Sequence, residues 1–227
     1  DMLGVIIGHT ELALLQPALP AALRIDLEQI REAAQRSARM SRQLLAFASQ
    51  QVVSPEALDL ARVIQQDTRV LQRVLGDDVK VLVHSESPLW VVWMDPAQID
   101  QILTNLCLNS REALAPGGTI RIDLANRVFT AKDCLGLADA APGEYVALSI
   151  TDDGRGMDAH TLAHLFEPFF TTKSNWAGTG LGLASVYGSV RQNGGFIHVT
   201  REPGQGSKFV VHLPRFLLSL IHICEPT

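Results

Sequence analysis

The chain has 227 residues, of which 47% are hydrophobic and 19% charged, and its formal net charge is −5. This length allows one large domain or two modest ones, and the apolar content is that of a protein with a buried core. The acidic balance argues against nucleic-acid binding, the three cysteines are too far apart for metal-ligand spacing, and no apolar run reaches the ~20 residues that span a bilayer.

The first 53 residues predict a helical hairpin. Residues 2–15 predict a helix without an N-terminal cap, so we expect the chain to start inside an element, and Pro17 and Pro20 break that helix. Residues 21–51 predict a second helix with a stripe at alternating spacings of four and three, made of Leu23, Leu27, Ile30, Ala34, Ser37, Ser41, Leu44 and Ala48. Two helices cannot bury such a stripe alone, so we expect a homodimer that forms a four-helix bundle.

A linker at Ser54 and Pro55 precedes a mixed segment. Gly76 is expected to end one helix as its C-cap. Asp95 is expected to begin another helix as its N-cap, with Pro96 as the first helical residue. The predicted elements are a helix over 60–75, strands over 79–84 and 89–93, a helix over 95–114, strands over 119–128 and 145–151, a helix over 184–192, and a hairpin of 196–200 with 208–213. A polar, mobile connection is expected around 132–143.

These elements predict an α+β chain in which helices cover one face of a mixed sheet. We expect a helical hairpin over residues 1–53 and an α/β sandwich over residues 54–215. Residues 216–227 fit neither unit and look like a non-native tail, so we expect that their removal leaves stability unchanged.

Two glycine clusters indicate a phosphate-binding site. Asp152 follows a predicted strand and is followed by Gly154 and Gly156, and the second cluster spans residues 178–182. Backbone amides without side chains can approach a polyphosphate closely, and a buried carboxylate can accept a hydrogen bond from a purine amine.

Two other segments have matching chemistry, each with a plainer alternative. Asn105 and Asn109 lie one turn apart on a predicted helix, where their amide oxygens could bind Mg²⁺ or merely satisfy neighbouring backbone groups. Residues 165–173 contain three phenylalanines and Lys173, which fits either a hinged lid with an ammonium for phosphate or a core loop with a solvated lysine.

In order and spacing, these four blocks resemble the N, G1, F and G2 boxes of the sensor histidine kinases, in particular the nitrogen-regulation and hybrid-kinase branch. In this chain the boxes are residues 105–109, 152–156, 166–170 and 178–182. The resemblance covers residues 1–215 and implies a dimerisation hairpin followed by a Bergerat-type sandwich that binds ATP and Mg²⁺.

The resemblance also implies roles for individual residues. Asp152 would accept the adenine amine with Ser207 assisting through water, Asn109 would bind Mg²⁺, and Asn105 and Lys173 would act beside the phosphates. The remaining nucleotide-binding positions would be Gly154, Gly156, Phe170, Thr172, Gly178, Thr179, Gly180, Leu181 and Gly182.

The implied activity is that of an ATP-dependent protein-histidine kinase. Such an enzyme moves the γ-phosphoryl to a hairpin histidine and then to an aspartate of a response-regulator receiver domain. The expected location is cytoplasmic, and the full-length protein could have a membrane anchor upstream of this chain. Two alternatives stay open: a hydrolysing ATPase of the same superfamily, and a non-catalytic dimeric scaffold. Related ATPases carry a glutamate where this chain has Asn105, which is a poor base.

The histidines of the chain leave the phosphoacceptor open. His9 lies in the first helix, but alignment with the family signature places the acceptor about four residues before Asp1. We therefore expect this chain to bind ATP without phosphorylating itself. His160 and His164 have the spacing of a zinc pair without a third ligand, which favours an exposed helix. Arg111 either reaches phosphate or faces solvent.

Overall fold

A computed structural model describes residues 2–17, 19–48, 54–172, 179–201 and 206–217. Its elements, labelled in chain order, are α1 (Met2–Leu14), α2 (Ala21–Ala48), β1 (Glu56–Leu58), α3 (Leu60–Leu75), β2 (Lys80–Ser85), β3 (Val92–Met94), α4 (Pro96–Ala113), β4 (Thr119–Phe129), β5 (Gly143–Asp152), α5 (Ala159–His164), α6 (Gly182–Gln192), β6 (Phe196–Arg201) and β7 (Ser207–Pro214). The chain divides into two compact units, Asp1–Val53 and Ser54–Thr227.

The first unit is the pair of helices α1 and α2. Its buried side chains include Thr10, whose hydroxyl donates to the Ile6 carbonyl at 2.6 Å, and Ala34. Small residues let the two helices approach closely. Many large apolar side chains of this unit stay exposed, among them Met2, Val5, Ile6, Leu12, Leu15, Leu23, Ile25 and Ile30.

The second unit is built on a five-stranded sheet in the order β2-β4-β5-β7-β6. Strand β2 pairs in parallel with β4, and the other neighbours are antiparallel, so the sheet is mixed as predicted. Strands β1 and β3 form a separate antiparallel pair.

The core lies on the sheet face that the helices cover. Alternate residues of β5 and β7 point to this face because side chains of a strand alternate between its two sides. They pack against the apolar side of α4, in a cluster that includes Val146, Leu148, Ile150, Val211, Leu213, Ile99, Leu103 and Leu106. The predicted α+β class with helices on one face is confirmed.

Helix α4 begins where the sequence predicts. Asp95 is the N-cap, its Oδ1 accepts from the Ala97 amide at 2.8 Å, and Pro96 occupies the first position. The second oxygen of Asp95 accepts from the Ser54 amide at 2.8 Å. One side chain thus caps the helix and holds the start of the second unit.

Two short strands differ from the prediction. Residues around Ser54 were expected to be a linker, yet Glu56–Leu58 is strand β1. The strand predicted over 89–93 begins only at Val92, because the Trp90 amide donates to the side chain of Asn126 at 2.9 Å instead of to a neighbouring strand.

Phe216 belongs to the fold, so the expectation that everything from residue 216 lies outside it is wrong. The Phe216 amide donates to the Val91 carbonyl at 2.7 Å, and its ring stacks on Trp93 at a centroid distance of 4.7 Å. Residues 218–227 of the expected tail lie outside the described residues.

The other face of the sheet carries an aromatic cluster. His212 is 3% exposed, stacks on Phe196 at 4.4 Å and on His198 at 5.2 Å, and meets the edge of Phe129 at 4.9 Å. Neither ring nitrogen of His212 has a hydrogen-bond partner among the described residues. Burial, with the charges of His198 and Arg127, lowers the pKa of His212 to about 3.

His212 should make the second unit acid-sensitive. Its folded pKa lies below the ordinary value of about 6.5, so only the unfolded chain takes up a proton as the pH falls below that value. We expect the contribution of His212 to stability to decrease by at most about 1.4 kcal/mol per pH unit between roughly pH 6 and pH 3. In urea titrations, His212→Leu should reduce this slope and the exposed control His84→Gln should retain it. An unchanged slope in His212→Leu would contradict the assignment.

Candidate functional site

Asp152 is the last residue of the central strand β5 and is 3% exposed. Its Oδ1 accepts from the amides of Gly154 at 3.0 Å and Ser207 at 3.2 Å. Its Oδ2 accepts from the Ser110 hydroxyl at 3.1 Å. Burial raises the pKa of the Asp152 carboxyl, and these three hydrogen bonds oppose that rise. An ionised carboxylate has about four acceptor positions, so the three donors found among the described residues leave room for one more.

Ser110 is a site residue that the sequence reasoning missed. It continues the core-facing spacing of α4, in which Ile99, Leu103 and Leu106 precede it at steps of four, three and four. A polar residue at such a buried position needs a hydrogen-bond partner. That requirement is the signal that could have identified Ser110.

Ser207 contacts Asp152 directly. The two residues are paired neighbours in β7 and β5, and the backbone amide of Ser207 donates to the carboxylate. The role expected for Ser207, assistance through water, stays a prediction.

At the first glycine cluster, the backbone packs closely against the C-terminal end of α4. The Arg155 amide donates to the Ala113 carbonyl at 3.1 Å. A Cβ at Gly154 would lie 2.6 Å from that same carbonyl oxygen, so only glycine fits without movement. Gly156 follows with φ +68°.

The predicted asparagines lie on α4, half-buried and one turn apart. The side chain of Asn105 faces the second glycine cluster, since a Cβ at Gly182 would lie 3.5 Å from Asn105 Oδ1. Helix α6 also meets α4 through a hydrogen bond of 3.0 Å from Gln101 to Ser185. The structure therefore brings the asparagine helix and the second glycine cluster together.

The described part of the second cluster, residues 179–182, leads into α6. Helix α6 begins at Gly182, two residues earlier than predicted, and Leu181 is 6% exposed. Gly180 has φ +65°, and a Cβ there would collide with the Phe169 backbone, whose amide donates to the Gly180 carbonyl at 3.0 Å. Thr179 is half-buried.

The phenylalanines of residues 166–170 have different environments. Phe166 stacks on Tyr187 of α6 at 5.3 Å, and Phe169 is 53% exposed. Phe170 lies 6.0 Å from His160 and 5.6 Å from His164, measured between ring centroids. Thr172 is exposed. Lys173 and Gly178 lie outside the described residues.

The site offers amide oxygens for a hard cation. Within the described part of the chain, no group of three or more His, Cys, Asp and Glu side chains could hold a metal ion. The pair His160 and His164 therefore has no third ligand of these types among the described residues. Asn105 and Asn109 supply neutral oxygens, which suit Mg²⁺ when phosphate oxygens and water complete its coordination.

Comparison with known proteins agrees with this geometry. Residues 94–216 match the model of the histidine kinase-, DNA gyrase B- and HSP90-like ATPases, so the chain belongs to that family. It is 38% identical over 219 residues to the sensor kinase CckA of Brucella abortus (strain 2308), covering 96% of this chain and 23% of CckA. It is 32% identical over 182 residues to the sensor histidine kinase ZraS of Escherichia coli (strain K12), covering 80% of this chain and 36% of ZraS.

Solved structures show the same relationship. Full-length ShkA in complex with AMPPNP superposes with a TM-score of 0.64 at 25% identity, over 94% of this chain and 43% of ShkA. The mycobacterial sensor histidine kinase MprB superposes with a TM-score of 0.56 at 26% identity, over 71% of this chain and 98% of the MprB chain. The resemblance to the sensor histidine kinases is thus confirmed. Across the described residues, no helix is long and apolar enough to cross a membrane.

Gly154→Ala should destabilise the second unit by about 1–3 kcal/mol, because the new methyl group would overlap the Ala113 carbonyl. Gly188→Ala is the matched control: it lies inside α6 with no atom within 4 Å of an added Cβ, and should stabilise by about 1 kcal/mol. Urea denaturation measures both. Equal stability of Gly154→Ala and wild type would show that the end of α4 can move aside.

Proposed function

We propose that this chain is the ATP-binding catalytic domain of a sensor histidine kinase together with part of its dimerisation hairpin. The observation that carries the proposal is Asp152, a buried carboxylate directly before the first glycine cluster. Its three hydrogen bonds among the described residues leave one of about four acceptor positions open. A purine amine is a donor of the required kind. The residues so arranged bind Mg-ATP as substrate.

The placement of the individual residues supports the following roles. Asp152 accepts the adenine amine, and Ser110 with the amides of Gly154 and Ser207 fixes the direction of its oxygens. The amides of residues 179–182 lie at the start of α6, where a helix attracts negative charge and binds phosphate. Asn109 would hold Mg²⁺, which neutralises phosphate charge when bound.

Phosphoryl transfer suits this site better than hydrolysis. A hydrolysing ATPase needs a base to activate water, and the position one turn before Asn109 is Asn105, whose amide cannot accept a proton at neutral pH. Positioning of the nucleotide and stabilisation of charge are what phosphoryl transfer to a protein group requires.

The proposal extends to the whole protein. The exposed apolar side chains of α1 and α2 fit burial in a homodimer, as a four-helix bundle with the hairpin of a second copy. The γ-phosphoryl passes to a hairpin histidine and then to an aspartate of a response-regulator receiver domain. The chain spans 23% and 36% of the lengths of CckA and ZraS, so these steps are proposed for the longer protein.

Asp152→Asn should weaken ATP binding on the order of 10- to 100-fold, because the charged acceptor is lost and an amide donor can face the adenine amine. Asp153→Asn is the control: Asp153 accepts from the Thr119 amide at 2.8 Å, and an asparagine oxygen can do the same. Isothermal titration with Mg-AMPPNP measures both variants. Equal affinities in wild type and Asp152→Asn would remove the basis of the proposal.

Phosphotransfer can be separated from hydrolysis. The whole protein, incubated with γ-labelled ATP and Mg²⁺, should acquire a label that is lost in acid and retained in base, as expected for phosphohistidine. Steady release of inorganic phosphate without any labelled protein would favour the hydrolysing ATPase instead. Absence of nucleotide binding would favour the non-catalytic scaffold.

A further inference from the structure

Two side chains of helix α6 contact the same residue of the β4–β5 connection, residues 130–142. Tyr187 and Arg191 are four positions apart and so lie one turn apart on one face. The Tyr187 hydroxyl donates to Asp139 Oδ2 at 2.6 Å, and Arg191 Nη2 lies 3.5 Å from Oδ1. Arg191 Nη1 also donates to the Asp139 carbonyl at 3.2 Å. The connection, predicted to be mobile, is therefore tied to α6.

Asp139 adopts an unusual backbone conformation at this contact. Its φ is +64°, in the left-handed region that residues with a side chain rarely occupy. Aspartate tolerates this region better than most residues, and its carboxylate and carbonyl are both held by α6. The contact therefore has a specific geometry that a loosely packed loop would not maintain.

The ring of Tyr187 makes a second contact, to residues 166–170. Phe166 stacks on it at 5.3 Å with an interplanar angle of 30°. Three residues further on, the Phe169 amide donates to the Gly180 carbonyl at 3.0 Å. Tyr187 thus contacts residues 166–170, the aromatic segment, on one side and the β4–β5 connection on the other. It belongs to the helix that follows Gly180.

We propose that Tyr187 is a positioning residue for the phosphate-binding glycines of residues 179–182. Its hydroxyl fixes α6 to Asp139, and its ring fixes the segment whose backbone holds Gly180. Both contacts determine where the first turn of α6 presents its amides. This inference rests on the proposed function, since it concerns how the same site binds the phosphates of ATP.

A purely structural role for Tyr187 makes a different prediction, and the chain offers a matched control. Tyr145 also ties the β4–β5 connection, since its hydroxyl donates to the Ala141 carbonyl at 3.0 Å. Its ring packs against Phe129 and Phe196 rather than against the aromatic segment or α6. Loss of the Tyr145 hydroxyl removes an anchor of the same connection without touching the glycines.

The test is a comparison of two ligands on three proteins. Wild type, Tyr187→Phe and Tyr145→Phe are titrated calorimetrically with Mg-AMPPNP, which has phosphates, and with adenosine, which has none. Tyr187→Phe should bind Mg-AMPPNP about five- to tenfold more weakly than wild type does. Its affinity for adenosine should equal that of wild type. Tyr145→Phe should bind both ligands like wild type. Amide exchange in the first turn of α6 should be faster in unliganded Tyr187→Phe alone.

The outcomes separate the inference from the proposed function. Unchanged Mg-AMPPNP binding in Tyr187→Phe, or equal loss of both ligands, overturns the positioning role while ATP binding by wild type stands. Failure of wild type to bind Mg-AMPPNP overturns the proposed function itself, and the inference with it. If Tyr187→Phe does not fold, Asp139→Asn replaces it, because asparagine also tolerates the left-handed region but offers a weaker acceptor. The same selective loss is expected, and its absence contradicts the role.

Discussion

The hydrogen bonding of one buried carboxylate organises the second unit. Asp152 ends the central strand, and its oxygens are held by a side chain of α4, the amide of the following turn and the amide of the neighbouring strand β7. A buried charge without such partners would be strongly destabilising. The turn after β5, the end of α4 and the start of β7 are therefore constrained together, and that constraint defines the adenine side of the proposed pocket.

Helix α4 serves the core and the site with different faces. Its apolar stripe packs on the sheet, Ser110 extends that stripe to Asp152, and Asn105 faces Gly182 on α6. Packing of the stripe fixes the rotation of the helix, and this rotation places the polar groups. Core and site thus share one element, and substitutions in the stripe are expected to affect both.

Local signals explain why much of this could be predicted. Asp95 with Pro96 marks the start of α4, and the glycine clusters with the asparagine pair mark the site without any knowledge of distant contacts. What the sequence did not reveal depends on partners far along the chain. Strand β1 is three residues long and exists because β3 pairs with it, Trp90 leaves its predicted strand for Asn126, and Phe216 is ordered against Trp93.

The long sequence separation of the contacts to Asp152 has a kinetic and thermodynamic consequence. Its hydrogen bonds to Ser110 and Ser207 join residues 42 and 55 positions apart, so loop closure must precede them. A partly folded sheet cannot form these hydrogen bonds to the Asp152 carboxylate. Competence for ligand binding therefore arises only with the complete unit, and any ligand that binds there stabilises the whole sandwich by mass action rather than one local segment.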